Sequence, residues 1–161
     1  MDNTNKALPR AILVFGAPGS GKTTFAERFS SKFHAAFYDL TEIEEKYKFS
    51  RRTVLKCIEL IARTNTTLVI EGGLDTEKDR NEVKNVLRKA GYSPSLIWIQ
   101  TDVGTIKMRL KMKHKNGLKA RDEYERRIES MEAPTEIESP IVLSGKHTFE
   151  TQLRHVLTQI A

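Results

Sequence analysis

A single cysteine, Cys57, is present in the whole sequence, and no run of apolar residues is long enough to cross a bilayer. One thiol forms no disulfide within the chain, and the setting of Cys57 in TVLKCIELIA predicts an apolar position on a helix. A membrane-spanning helix needs about 20 consecutive apolar residues. The stretch MDNTNKALPR also lacks the basic start and apolar run of a secretory signal. These absences favour a cytoplasmic protein without disulfides or a membrane partner.

Charge and size narrow the class of protein further. The chain has 161 residues and a formal net charge of +6, so we expect one domain over residues 1–161 with anionic partners. A nucleotide would satisfy that charge, which therefore does not by itself indicate nucleic acid. Pure nucleic-acid binding is not favoured, because few aromatic residues stand among the basic ones. The four histidines form no cluster, and the oligomeric state stays open.

Short apolar runs alternate with amphipathic segments along the chain. This pattern is typical of an α/β fold, in which helices cover both faces of a parallel sheet. The predicted strands are Ala11–Phe15, Ala35–Leu40, Thr67–Glu71, Ser95–Gln100 and Pro140–Leu143. Helical spacing of apolar residues predicts helices directly after residue 24, from Ser50 to Arg63, before Gly91 and from Phe149 to Ile160.

The stretch GAPGSGKTT comes directly after the first predicted strand and matches the pattern G-x-x-x-x-G-K-[ST]. Glycine lets the backbone curl so that successive N–H groups point at phosphate oxygens, and the N-terminus of the next helix favours negative charge. Lys22 is expected to reach the β- and γ-phosphates, and the Thr23 hydroxyl to help hold Mg²⁺. The predicted nucleotide-binding loop consists of Gly16, Ala17, Pro18, Gly19, Ser20, Gly21, Lys22, Thr23 and Thr24.

The residues after this loop exclude two large classes of phosphate-loop proteins. Motor-type ATPases usually end their third strand in Asp-Glu and carry a helical subdomain. The stretch LVIEGG offers the single acid Glu71, and too few residues remain for such a subdomain. Small GTPases read guanine with N-K-x-D, which is absent. A small kinase is the remaining pattern.

A basic, weakly apolar segment interrupts the alternation after the fourth predicted strand. The stretch VGTIKMRLKMKHKNGLKARDEYERRIESME predicts two charged helices joined around KNG. Such a hairpin buries little apolar surface against the core. We therefore interpret residues from about 104 to 132 as a lid.

Several stretches together resemble the polynucleotide-kinase and zeta-toxin-like group of P-loop kinases, often described as an AAA-like ATP-binding domain. They are LVFGAPGSGKTTFAERF, the strand ends FYDL and VIEGG, TDVGTIKMRLKMK, and MEAPTEIESPIVL. The resemblance implies a three-layer P-loop NTPase fold with a five-stranded parallel sheet in the order 2-3-1-4-5. It also implies that ATP and Mg²⁺ bind at the carboxyl ends of the strands.

The same resemblance implies roles for two acidic residues. Asp39 falls at the position of the acid that orients or deprotonates the accepting hydroxyl, and the alternative is an acid that caps the helix beginning at TEIEEKY. Glu71 falls beside the metal position, so Thr23 and Glu71 are the implied Mg²⁺ ligands. Gly72 and Gly73 replace side chains that often touch the substrate in relatives, which leaves the substrate open.

Basic residues of the lid are implied to contact phosphate. Arg109 corresponds to the lid arginine of the group, and Lys113 stands one turn later, where the group often has a second arginine. A lysine keeps the charge but loses the two-pronged grip on phosphate. The further candidates are Arg121, Arg126 and Arg127.

Three residues outside the lid complete the implied site. Arg80 resembles a substrate-side arginine of the group, with an exposed helical face as the alternative. Gly145 and Lys146, in LSGKHTF, fall in the loop that lines adenine and are expected to contact the nucleotide.

The sequence thus predicts an ATP- and Mg²⁺-dependent phosphotransferase, with Lys22, Asp39 and Arg109 as catalytic residues. The expected acceptor is a hydroxyl, either a nucleic-acid 5′-hydroxyl or a nucleoside. A sugar or sugar-nucleotide hydroxyl is the alternative acceptor. A nucleotide-dependent switch that hydrolyses ATP slowly is the alternative function.

Overall fold

The computed structural model describes residues 9–113 and 117–161. The strands are β1 (Arg10–Gly16), β2 (Ala36–Asp39), β3 (Leu68–Glu71), β4 (Ser93–Gln100) and β5 (Ile141–Ser144). The helices are α1 (Lys22–Phe33), α2 (Leu40–Tyr47), α3 (Arg51–Ala62), α4 (Glu77–Lys89), α5 (Val103–Lys113), α6 (Gly117–Ser130) and α7 (Phe149–Ile160). A short 3-10 turn at Glu136–Glu138 precedes β5.

The five strands form one parallel sheet in the order β2-β3-β1-β4-β5. This confirms the predicted order and fold class. The central strand is β1, whose residues Ala11 to Phe15 are all buried, so the most apolar run of the chain lies where both faces are covered. Because the first strand lies between the third and the fourth, the chain changes direction across the sheet at the carboxyl end of β1, where ligands bind in such sheets.

Strand boundaries depart from the predicted ones by one or two residues. The largest difference is in β4, which begins at Ser93 and includes Pro94. Pro94 pairs with Ala11 of β1, whereas pairing with β5 begins only at Ile97. One side of β4 is therefore open at the proline, which lacks an N–H and is tolerated where no ladder bond is required.

Two apolar clusters hold the layers together, one on each face of the sheet. On one face α1 and α7 contribute Phe25, Phe29, Leu153 and Val156. On the other face α3 and α4 contribute Val54, Ile58, Val83 and Leu87. The predicted helical stripes are thus confirmed as core, except that Phe33 at the end of α1 and Leu157 on α7 are exposed. No helix among the described residues is both long and apolar enough to traverse a bilayer.

Arg80 belongs to the core and not to a substrate surface. Its side chain is fully buried, and its guanidinium donates to both carboxylate oxygens of Glu138, at 2.8 and 2.9 Å, and to the carbonyl of Glu132 at 2.9 Å. Lys84 donates to the same carboxylate at 3.2 Å. The predicted substrate-side role of Arg80 is therefore wrong, because α4 turns this side chain inward, under the ring of Phe15.

Candidate active site

The glycine loop has the backbone that its sequence predicts. Gly19 and Gly21 have φ values of 78° and 100°, in the left-handed region that favours glycine. A Cβ on Gly16 would lie 2.6 Å from the carbonyl oxygen of Ile99, so the loop passes too close to β4 for a side chain. Helix α1 begins directly after Gly21, which places its free N–H groups at the loop.

Lys22 and Thr23 form the first turn of α1 and face the end of β3. The Thr23 hydroxyl donates to Oε1 of Glu71 at 2.5 Å. Burial lowers the pKa of the Lys22 amine; the Glu71 carboxylate opposes this, and the guanidinium of Arg127 reinforces it. An anion bound in this pocket would favour the charged form of the Lys22 amine.

The chemistry of Glu71 fits a divalent cation. Its side chain is only 2% exposed, and its Oε2 is buried without a hydrogen-bond partner among the described residues. Burial raises the pKa of this carboxyl, although the hydrogen bond from Thr23 acts against the rise. Mg²⁺ prefers hard oxygen ligands such as a hydroxyl and a carboxylate. An unpartnered carboxylate oxygen beside the Thr23 hydroxyl therefore suits Mg²⁺, in line with the sequence-based expectation.

Asp39 ends β2 directly beside Glu71, its partner in the β2–β3 register. Its Oδ1 accepts from the backbone N–H groups of Thr41 and Glu42, at 2.9 and 3.1 Å, and so caps α2. Its Oδ2 has no hydrogen-bond partner among the described residues. Capping fixes the carboxylate and leaves one oxygen for a ligand, so the helix cap observed here is compatible with the predicted catalytic role.

Arg109 of α5 fastens the lid to two loops of the site. Its Nη1 donates to the carbonyls of Gly19 and Ser20, at 3.1 and 3.3 Å, and its Nη2 to the carbonyl of Gly145 at 3.0 Å. A side chain on Gly145 would overlap with the Ser20 carbonyl, so the β5–α7 loop packs directly on the glycine loop. Arg109 thus joins the lid to both loops.

Two cavities lie on either side of Lys22. The donor cavity, of about 380 Å³, extends from the glycine loop to α7, and its walls include Thr24, Arg28, Gly145, Phe149 and Gln152. The acceptor cavity, of about 300 Å³, extends from the same loop to the strand ends and the lid, and its walls include Pro18, Asp39, Glu71, Gly72, Tyr124 and Arg127. Both are lined by Gly19, Lys22, Thr23, Arg109 and Lys113. The predicted phosphate contacts thus lie where the two cavities meet.

Some predicted contacts lie elsewhere. Lys146 lines neither cavity; its ammonium is 2.6 Å from a carboxylate oxygen of Asp102. Arg121 pairs with Glu125 at 2.8 Å on the surface of α6, and Arg126 donates to a backbone carbonyl on the same helix. Of the three further lid arginines, Arg127 reaches the acceptor cavity.

Sequence reasoning missed much of the donor cavity. The apolar spacing of α7 places Phe149 in the core stripe, but this residue also forms a wall of the cavity, with the Arg28 guanidinium 5.8 Å from its ring centroid. Gln152 lies one turn further along α7, is 7% exposed, and donates to the Ser144 carbonyl at 2.8 Å. A buried glutamine inside an apolar stripe was the available signal for this wall.

A family model described as an AAA domain, a P-loop kinase-like family, matches residues 12–136. The match begins in β1 and includes the glycine loop, both strand-end acids and the lid. No curated protein matches the chain.

Solved structures share the fold at low sequence identity. Kti12 of Chaetomium thermophilum, in complex with ADP-AlF3, is 13% identical with a TM-score of 0.70, covering 93% of this chain and 96% of that one. A gluconokinase from Sinorhizobium meliloti 1021 is also 13% identical, with a TM-score of 0.68, covering 94% and 91%. A sugar kinase from Janibacter sp. HTCC2649 is 19% identical, with a TM-score of 0.65, covering 93% of both chains.

Proposed function

This chain belongs to the AAA domain family, and on that premise we propose that it is an ATP- and Mg²⁺-dependent phosphotransferase. It moves the γ-phosphoryl group to a hydroxyl acceptor. The observation that carries the proposal is the junction of the donor and acceptor cavities at Lys22 and Thr23. A hydrolase needs room for a water beside the γ-phosphate, whereas a cavity of about 300 Å³ has room for a small acceptor.

The residues at the junction divide the work of transfer between them. The backbone N–H groups of the glycine loop and the Lys22 amine hold the β- and γ-phosphates, and Lys22 balances charge on the group in transfer. Thr23 and Glu71 hold Mg²⁺, which when bound neutralises phosphate charge. Asp39 orients the acceptor hydroxyl and takes its proton at Oδ2, while Oδ1 stays on the N-terminus of α2.

For the acceptor we favour a nucleic-acid 5′-hydroxyl or a nucleoside. The resemblance of the sequence motifs to the polynucleotide-kinase group supports this choice. The structural likeness to a gluconokinase and a sugar kinase supports a sugar-type hydroxyl as the alternative acceptor.

A second candidate function is an ATP-hydrolysing switch. The likeness to Kti12, crystallised with ADP-AlF3, favours it, as does the bond from the lid residue Arg109 to the glycine loop. In this case nucleotide binding would alter the lid, and phosphate would be released to water.

Transfer of label from γ-labelled ATP distinguishes the two functions. The acceptors are 5′-hydroxyl oligonucleotides of DNA and RNA, nucleosides, sugar acids and sugar nucleotides. Lys22→Ala removes the phosphate contact, and Lys32→Ala, an exposed change in the last turn of the same helix, is its matched control. Asp39→Asn keeps a capping oxygen but removes the proton acceptor.

A kinase places label on one acceptor, and both Lys22→Ala and Asp39→Asn abolish that transfer while Lys32→Ala does not. Label that appears only as free phosphate, at the same rate in Asp39→Asn as in the unmodified protein, would refute the kinase and leave the switch.

A further inference from the structure

Four basic side chains line the acceptor cavity: Lys22, Arg109, Lys113 and Arg127. The first three also line the donor cavity, where ATP phosphates are expected. Arg127 lines the acceptor cavity but not the donor cavity. Its charge therefore faces the space assigned to the acceptor and not that assigned to the donor.

The position of Arg127 on α6 follows from helical spacing. Tyr124, three residues earlier, is 7% exposed and lines the same cavity, so residues 124 and 127 share the face of α6 that looks inward. Arg126 lies on the outer face and is exposed. The guanidinium of Arg127 is also close enough to Lys22 to lower the pKa of its amine.

The ion pair that Arg127 forms in this structure is weak. Nη2 of Arg127 lies 3.8 Å from Oε1 of Glu45 on α2, too far for a hydrogen bond, and the Glu45 side chain is 73% exposed. Exposed pairs of this kind contribute little to stability. A ligand anion in the cavity can therefore replace Glu45 at small cost.

We propose that Arg127 binds an anionic group of the acceptor, so that the acceptor carries a carboxylate or phosphate in addition to its reacting hydroxyl. The inference rests on the proposed kinase function and deepens it. Arg127 is then a specificity-determining residue on the lid wall, opposite Asp39 on the sheet wall. The planar guanidinium suits either anion, since both accept two parallel hydrogen bonds.

Two sources of such an acceptor share this chemistry. In a nucleoside 3′-phosphate or an oligonucleotide, the 5′-hydroxyl reacts and the 3′-phosphate is the anion. In a sugar acid, a ring or chain hydroxyl reacts and the carboxylate is the anion. Each source has a neutral counterpart that keeps the reacting hydroxyl and lacks the anion, which makes the role of the anion testable.

The test is binding by isothermal titration calorimetry, with Mg²⁺ and a non-hydrolysable ATP analogue in excess. The matched probes are thymidine 3′-phosphate against thymidine, and gluconate against glucitol, the open-chain polyol in which a CH2OH group replaces the carboxylate. The variants are Arg127→Gln and, as the matched control, Arg126→Gln, which removes the same charge from the outer face of α6. Kinase rates with the same probes are measured separately.

In the unmodified protein we expect one anionic probe to bind about 10- to 100-fold more tightly than its neutral counterpart, the range for a hydrogen bond to a charged group. Arg127→Gln should reduce that ratio to within about three-fold of unity, and Arg126→Gln should preserve it. Glu45→Gln should tighten binding of the anionic probe only slightly, at most about five-fold, because the exposed pair that it removes is weak. The probe pair that shows this preference for the charged member identifies the type of acceptor.

Equal binding of charged and neutral probes overturns the inference, and so does an absence of binding by all four. An Arg127→Gln variant that weakens binding of the ATP analogue but keeps the ratio also overturns it, because Arg127 would then serve the donor. Selective binding of an anionic probe without transfer supports Arg127 but refutes the kinase. The failure of either proposal is thus recognisable.

Discussion

Replacing Glu138 with Gln should destabilise the fold strongly, although the change removes only one charge. The carboxylate of Glu138 accepts from Arg80 and Lys84, and the side chains of these three residues are 4%, 0% and 5% exposed. An amide cannot balance two buried cations. Removal of one partner from a buried ion pair costs about 3–5 kcal/mol.

The pKa of Glu138 gives a second way to calculate this loss of stability. Burial alone would raise this pKa, but hydrogen bonds from Arg80, the Thr135 backbone and Lys84 lower it from 4.5 to about 2. The difference corresponds to about 3 kcal/mol, at about 1.4 kcal/mol for each tenfold change in affinity for the proton. Both calculations therefore give a loss of about 3 kcal/mol or more for Glu138→Gln.

The same pKa fixes the direction of the pH dependence. The folded pKa lies below the unfolded one, so the contribution of Glu138 is present above pH 4.5 and is lost as the pH falls towards about 2. The Glu138→Gln variant has no titratable group at this position. The stability difference between the two proteins should therefore shrink across this acidic range.

Urea unfolding followed by the fluorescence of Trp98, the one tryptophan of the chain, measures both effects. Glu136→Gln, an exposed change in the same short turn, is the matched control. The reasoning fails if Glu138→Gln is no less stable than Glu136→Gln near neutral pH, or if their difference is the same near pH 2.5 as near pH 7.

Three further predictions concern the site. Arg109→Lys should raise the KM for ATP about tenfold in steady-state assays, since one ammonium cannot span the Gly19 and Gly145 carbonyls; an unchanged KM would exclude this role. Gly72→Ala should lower the Tm and reduce transfer at least about tenfold, because φ is 74° and its Cβ would lie 2.6 Å from Asp39 Oδ1; wild-type kinetics would contradict this. Glu71→Gln should raise the Tm of the nucleotide-free protein near pH 8 but abolish Mg²⁺-dependent turnover. Burial raises the folded pKa of Glu71 above its unfolded value. The protonated carboxyl therefore contributes to stability below pH 4.5, and this contribution is lost as the pH rises through the folded pKa. A lower Tm of Glu71→Gln near pH 8 would contradict this reasoning.

The sequence was sufficient for the strands and the glycine loop, because each depends on local patterns, whereas the sheet order came from the resemblance to P-loop kinases. Buried parallel strands read as apolar runs, and the curled loop needs glycine where φ is positive. The resemblance assigned roles to Asp39 and Glu71, and the structure shows that they lie side by side, because a parallel sheet brings its strand ends to one edge.

Side-chain direction on helices was harder to predict, because it depends on which helix face packs inward. Arg80 looked exposed within TEKDRNEVK, yet its partner Glu138 lies 58 residues away along the chain. Arg126 and Arg127 are neighbours in sequence, yet Arg126 is exposed and Arg127 lines the acceptor cavity. An ion pair between residues far apart in sequence, such as Arg80 and Glu138, leaves no local pattern.

The buried arginine under Phe15 has a consequence for turnover. Arg80 and the N-terminus of α4 hold the end of the lid through the carbonyl and carboxylate of Glu132, and Asp102 caps the lid's first helix at Thr105. Arg109 adds a third attachment between these two ends, so movement of the lid requires that at least one of the three is broken. Changes on α4, remote from both cavities, should therefore alter how readily the lid opens, and in the proposed kinase this would change the rate at which products leave.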